Sequence, residues 1–190
     1  MAILVQPDTN SFRRSRRCEN NRDAVSMDAY RWCDLGCGDG AITVEMGRFA
    51  RHVVGIDIDP RAVLVARKRA EREHRDNVTF KEDRIEKLQE PTGAYDLAVF
   101  SQSLHHLKNP EEGIRQSVRV LKKGGTLVVF DLAPHGELWV KEKLSHVHLG
   151  FAPESLKEMM AQAGLSDILI EQVHQRRGEV FRVLLATGKK

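Results

Sequence analysis

Long apolar runs are missing from this chain, and so is a strong charge of either sign. No stretch approaches the ~20 apolar residues that span a bilayer. Met1-Ala2-Ile3-Leu4-Val5, with no basic residue before it, is too short for the apolar region of a secretion signal. No membrane span or leader is expected. Lys and Arg outnumber Asp and Glu by only 30 to 27, a formal charge of +3, so nothing global points to nucleic acid as a partner. Cysteines are few and odd in number: Cys18, Cys33 and Cys37. They make no full disulfide framework and have no metal-ligand spacing. They suit a cytoplasmic protein, with Cys33 a small buried hydrophobe. Internal repeats and low-complexity tracts are absent as well. What remains is 190 residues, 41% hydrophobic and 30% charged, an ordinary composition for one globular domain with a proper core.

The chain is organised around Trp32-Cys33-Asp34-Leu35-Gly36-Cys37-Gly38-Asp39-Gly40-Ala41. This reads as the end of a buried strand that turns through glycines into a helix. Such a turn brings backbone N–H groups and a helix N-terminus up to a ligand. An apolar run, Val53-Val54-Gly55-Ile56, then ends in Asp57. The acid follows Gly36 by about 20 residues, the separation at which a carboxylate bonds ribose hydroxyls in a nucleotide-binding βαβ unit. A nucleoside-type cofactor is expected.

Two cofactors compete for this motif. Gly36-x-Gly38-x-x-Ala41 satisfies the dinucleotide fingerprint, which would make the protein a nicotinamide-dependent oxidoreductase. Asp34 and Asp39 argue for S-adenosylmethionine instead. Two carboxylates around the turn repel a pyrophosphate but tolerate a zwitterion that also carries a sulfonium.

The rest of the chain alternates strand and helix patterns. Helix signals run from about Gly40 to Ala50, with Ile42, Met46 and Phe49 on one face, and from Asp59-Pro60, with Val63, Ala66 and Ala70 inward. On that second helix Arg67, Lys68, Arg69 and Arg72 read as a solvated face. A third helix opens at Asn109-Pro110, lines its inner side with Ile114, Val118 and Leu121, and is expected to stop at Gly124-Gly125. Strands are expected at His52–Asp57, at Asn77 to Asp83, at Tyr95–Phe100 in the centre, and at Thr126–Asp131. After a partly helical stretch containing Trp139, which reads as core, Pro153 starts a last helix. Apolar runs at 168–173 and 180–186 flank Arg176-Arg177-Gly178 as a hairpin. The succession of βα units gives a doubly wound α/β sheet.

Asp34-Leu35-Gly36-Cys37-Gly38-Asp39-Gly40, Gly55-Ile56-Asp57, Leu104-His105-His106-Leu107 and Val120-Leu121-Lys122-Lys123-Gly124-Gly125 stand in an order that resembles the class I S-adenosylmethionine-dependent methyltransferases, from roughly Arg31 to Lys189. The segment from Asp131 to Phe151 looks like the methyltransferase domain fused behind ArsR-type repressors and, more broadly, like methyltransferases of ubiquinone and menaquinone biosynthesis. The resemblance implies a mostly parallel seven-stranded, Rossmann-like sheet closed by a C-terminal antiparallel hairpin. It implies a methyl donor held by Asp34, Gly36, Cys37, Gly38, Asp57, Ile58, Asp83, Arg84 and Ser101, with Asp83 at the adenine amino group. S-adenosylhomocysteine would be the product. Arsenite methyltransferases are related, but their cysteine set is not matched.

Residues 30–190 are thus expected to form the methyltransferase domain. Residues 1–29, with Arg13, Arg14, Arg16, Arg17 and Arg22, form either a solvated basic arm or a cap over the cofactor that docks Phe12 and Met27. Methyl transfer to a small molecule needs alignment and exclusion of water rather than a metal. His105, His106 and His135 are candidate bases at the acceptor. His135, His146 and His148 match metal spacing only loosely, so no metal site is expected. A cofactor-binding sensor without turnover is the rival reading, beside the oxidoreductase.

Overall fold

The computed structural model describes residues 30–173 and 181–190. The basic arm with Phe12 and Met27, Cys18, and the Arg176-Arg177-Gly178 turn lie outside the described residues. Seven strands form one sheet: β1 (Arg31–Leu35), β2 (His52–Asp57), β3 (Val78–Glu82), β4 (Tyr95–Ser101), β5 (Leu121–Leu132), β6 (Ser166–Val173) and β7 (Val183–Lys189). Their order is β3-β2-β1-β4-β5-β7-β6. The first five are parallel. β7 runs antiparallel to both β5 and β6 and lies between them. This is the expected sheet, with β4 at its centre.

Helices cover both faces, and β2 shows how. Val53 packs into one apolar cluster with Val44, Val63, Ala66 and Ala70, whereas Val54 and Ile56 join another with Ile114, Val118, Leu156 and Met160. Successive strand residues point to opposite faces, so a strand buried on both reads as a continuous apolar run. Each fully buried large side chain, such as Phe100 or Leu156, contributes roughly 1.5–3 kcal/mol.

α2 (Pro60–Arg72) starts as its sequence dictates. Asp59 accepts the Arg61 N–H at 2.9 Å, Pro60 sits in the first turn, and Val63, Ala66 and Ala70 are buried. Its basic face is solvated, with Arg67, Lys68 and Arg72 exposed, although Arg67 also donates to the Phe80 carbonyl at 2.9 Å and Arg69 pairs with Asp39. α1 (Ala41–Met46) is shorter than expected and turned differently. The Thr43 hydroxyl donates to Asp34 at 2.6 Å, and Val44 packs below it. These two neighbours set the helix rotation and leave Ile42 and Phe49 more than half exposed.

α3 (Pro110–Val120) is capped by Asn109, which accepts from Glu112 N. It ends before the glycines. Leu121 already pairs with Tyr95, and Lys122 to Gly125 form a bulge before Thr126 rejoins at Leu97. α4 (Trp139–Lys143) is a single turn, and Trp139 stays 41% exposed with its indole N–H on Glu137 instead of entering the core. α5 (Pro153–Gln162) buries Leu156, Met159 and Met160. No helix among the described residues is long and apolar enough to cross a membrane.

Candidate active site

Parallel strands leave a crevice beyond their carboxyl ends where the strand order reverses. Here that point lies between β1 and β4. The turn after β1 crosses onto β2, with Gly36 N and Cys37 N both donating to the Ile56 carbonyl at 2.8 and 3.0 Å. Gly36 has φ +79, and a Cβ on it would stand 2.5 Å from the Ser103 Cβ. The Ser103 hydroxyl in turn donates to the Leu35 carbonyl. Only glycine allows the β1 and β4 loops to close together this way.

Asp57 ties the crevice mouth. One carboxylate oxygen accepts the Gly38 N–H at 2.8 Å and the other accepts the Asp59 N–H at 2.9 Å. A carboxylate oxygen takes two hydrogen bonds, so both retain acceptor capacity. The resulting cleft measures about 870 Å³, within the range of small-molecule sites. Gly36, Gly38, Asp57, Ile58, Arg84 and Ser101 line it, as does His106, together with Gln102, Ser103 and Ser145.

Other expected residues sit elsewhere. The Cys37 side chain is buried in the cluster beneath α1 and α2. Asp83 caps the turn that follows β3, accepting from Arg84 N at 2.8 Å and Gln89 N at 2.7 Å. Asp39 does not line the cleft, since its carboxylate pairs with Arg69 and accepts the Ala41 N–H. His135 stacks edge-on against Phe181, 4.8 Å between ring centres.

Asp34 lies under α1 and is 1% exposed. One oxygen takes the Thr43 hydroxyl and the other has no partner. Burial pushes its pKa up to about 6, against the lowering effect of the Thr43 hydrogen bond and with the Asp57 charge adding to the rise. The folded protein therefore holds a proton on Asp34 at pH values where the unfolded chain has lost it. The Asp34 contribution to stability falls as pH rises from about 4 through about 6 and is then level. Relative to Asp34→Asn, the wild type is expected to lose about 2–3 kcal/mol between pH 4 and pH 7, read from urea melts of both proteins.

The sequence assigns Asp131 no role in the site and weighs His146 only with His135 and His148, not with the pair it meets. Asp131, at the end of β5, is 1% exposed and accepts from Leu104 N, Leu132 N and the His105 ring at 2.8, 2.7 and 2.6 Å. His146 comes from the loop after α4 to lie with its ring centre 4.2 Å from that of His105 and 5.0 Å from that of His106. Burial lowers the pKa of His106, of His135 and of His146, the last to about 4, with the neighbouring imidazoles adding to the effect. These rings are neutral at physiological pH.

Comparison with known proteins bears on the family. The family described as "Methyltransferase domain" matches residues 26–172. The chain is similar to a magnesium-protoporphyrin O-methyltransferase of Rhodobacter capsulatus, 30% identical over 158 residues that cover 77% of this chain and 67% of that protein. It is also similar to a ubiquinone biosynthesis O-methyltransferase of Acinetobacter baylyi, 33% identical over 93 residues, 48% of this chain and 39% of that protein. The chain thus spans well under half the length of the ubiquinone relative. Among solved structures, an S-adenosylmethionine-dependent methyltransferase from Mesorhizobium loti shares the fold at TM-score 0.73 and 18% identity, covering 87% of this chain and 93% of that one. The [4+2]-cyclase SpnF does so at TM-score 0.74 and 22% identity, covering 85% and 75%. That second neighbour, by name a cyclase, shows that the fold alone does not choose the reaction. The family match covers most of the chain. The chain belongs to the class I S-adenosylmethionine-dependent methyltransferases, and S-adenosylmethionine is its cofactor.

Proposed function

We propose that this protein methylates a small-molecule acceptor by in-line displacement, working in the cytoplasm. The observation that carries the reading is the Asp57 clamp at the mouth of a bare-backbone turn, which gives the cleft an acidic wall and a glycine floor.

The residues fit S-adenosylmethionine. Asp57 retains acceptor capacity for the two ribose hydroxyls. Gly38 leaves room for the methionine moiety, since a Cβ on it would meet nothing within 4 Å, while Gly36 lets Ser103 close in beside it. Asp34, expected at the cofactor, lies buried under α1 and does not line the cleft. Arg84 and Ile58 would stand beside the adenine ring and Ser101 at the base of the cleft, with Asp83 holding the turn that places Arg84. When bound, this cofactor supplies a methyl group on a positive sulfur. The protein's task is alignment at roughly 3–3.5 Å and exclusion of water. His106 faces the cleft as a neutral imidazole able to take a proton from the acceptor, and Asp131 orients His105 behind it.

At a hundredfold excess over its Kd, S-adenosylmethionine is expected to raise the melting temperature by about 5–10 °C while NAD(P)H does not. A small-molecule extract should then yield S-adenosylhomocysteine and a labelled product. Stabilisation by NAD(P)H alone would reinstate the oxidoreductase. Binding without turnover on any acceptor would make the protein a sensor.

A further inference from the structure

His105 and His106 stand on the turn after β4, and His146 arrives from the loop after α4. One ring nitrogen from each lies within 4.8 Å of the others. The far sides of two rings are already held. Asp131 binds Nδ1 of His105 at 2.6 Å, and the Ser145 carbonyl binds Nδ1 of His106 at 3.2 Å. An acceptor at Nδ1 keeps the proton there, which leaves Nε2 as a bare lone pair. Nε2 of His105 is buried without a partner, and so is Nδ1 of His146. His105 itself is 2% exposed. Two unpartnered buried nitrogens, with the more exposed His106 ring beside them, ask for a group that satisfies them together.

The arrangement is built rather than collapsed. Val147 N and His148 N both donate to the His105 carbonyl, at 3.1 and 3.0 Å, and His148 Nε2 bonds the Leu107 carbonyl at 3.0 Å. Ser145 sits at φ +56, a conformation rare outside glycine, and so aims its carbonyl at His106 while placing His146 next in line. Gln102, just before the turn, has φ +56 as well.

We infer that His105, His106 and His146 form a binding site for one divalent transition-metal ion. Three imidazoles select the zinc-like ions over magnesium or calcium, which prefer oxygen. An ion about 2 Å from each nitrogen draws the three rings closer together than the 4.8 Å span within which their nitrogens now lie. Asp131 and the Ser145 carbonyl are the outer partners that fix ring orientation, as metal-bound histidines require. Three neutral ligands leave the ion doubly positive and one position open. His106 and Ser145 both line the cofactor cleft, so that position faces the acceptor. An acceptor hydroxyl or thiol bound there would lose its proton to solvent and stay as the anion, so with the ion bound His106 holds the metal and takes no proton itself. This last step, the acceptor class, rests on the methyl-transfer reading; the metal site does not.

The test titrates zinc into the full chain, stripped with chelator, against a chromogenic competitor. One equivalent at sub-micromolar Kd is expected, and cobalt(II) in its place should give the visible absorption of a four-coordinate site with nitrogen ligands. His146→Ala should weaken zinc at least a hundredfold. His52→Ala, at the opposite end of the sheet, should leave it unchanged. Wild-type protein that takes up no equivalent at micromolar zinc, or an equivalent that survives His146→Ala, overturns the site. The wild-type stoichiometry and cobalt spectrum decide the matter even if the variant fails to fold. Calorimetry with S-adenosylmethionine on the same sample separates the two readings. Metal without cofactor binding sinks the methyl-transfer reading alone, and cofactor binding without metal sinks this one alone.

Discussion

Asp131→Asn is expected to destabilise the protein by roughly 3 kcal/mol and to lower its melting temperature by about 6–12 °C. The carboxylate is buried and surrounded by donors: Leu104 N at 2.8 Å, His105 N at 3.4 Å, Leu132 N at 2.7 Å and the His105 ring at 2.6 Å. An amide of the same volume leaves no cavity, so packing is not the cause. It offers one oxygen and turns an NH₂ group toward donors that need an acceptor. Each buried donor left unmade costs about 1–3 kcal/mol. Calorimetric melts of the two proteins check this, and a loss below 1 kcal/mol would show that the network carries little stability.

Asp57→Ala is expected to weaken S-adenosylmethionine binding by about 3 kcal/mol, or roughly 150-fold. Two effects combine. The proposed bonds to the ribose hydroxyls vanish, and the Gly38 and Asp59 amides lose the carboxylate that holds the mouth of the cleft in shape. Asp57→Asn should fall between, because its single oxygen serves only one of the two amides. Isothermal calorimetry measures the difference, and unchanged affinity for the alanine variant would remove Asp57 from the site.

The sheet, its helices and the glycine turn were readable because local rules carry them. Continuous apolar runs mark strands buried on both faces, and Asp59-Pro60 and Asn109-Pro110 mark helix starts through their own side chains. Asp57 follows from its distance to the turn. The misread parts depend on partners remote in sequence. The spacing of Ile42, Met46 and Phe49 is truly helical, yet the buried Asp34 chooses which side of α1 faces in. Asp39 looks like a charge aimed at a ligand until Arg69, on the next helix, claims it. The histidine cluster joins residues about 40 positions apart through a loop without regular structure, and no periodicity encodes such a meeting. Asp131 was visible as a strand end, but its role appears only once the β4 turn folds over it.

The position of β7 has a consequence for how the protein is made. β6 leaves the ribosome first, yet its neighbour in the sheet is β7, which is translated later. The five parallel strands can assemble as they emerge, whereas β6 must wait with its backbone unmatched until Val183–Lys189 has followed it out of the exit tunnel. Its side chains suit that wait, because most of them face water even in the finished protein. Nascent chains halted before Val183 would keep two more open edges than the finished sheet, one on β5 and one on β6, and would be natural clients for chaperones.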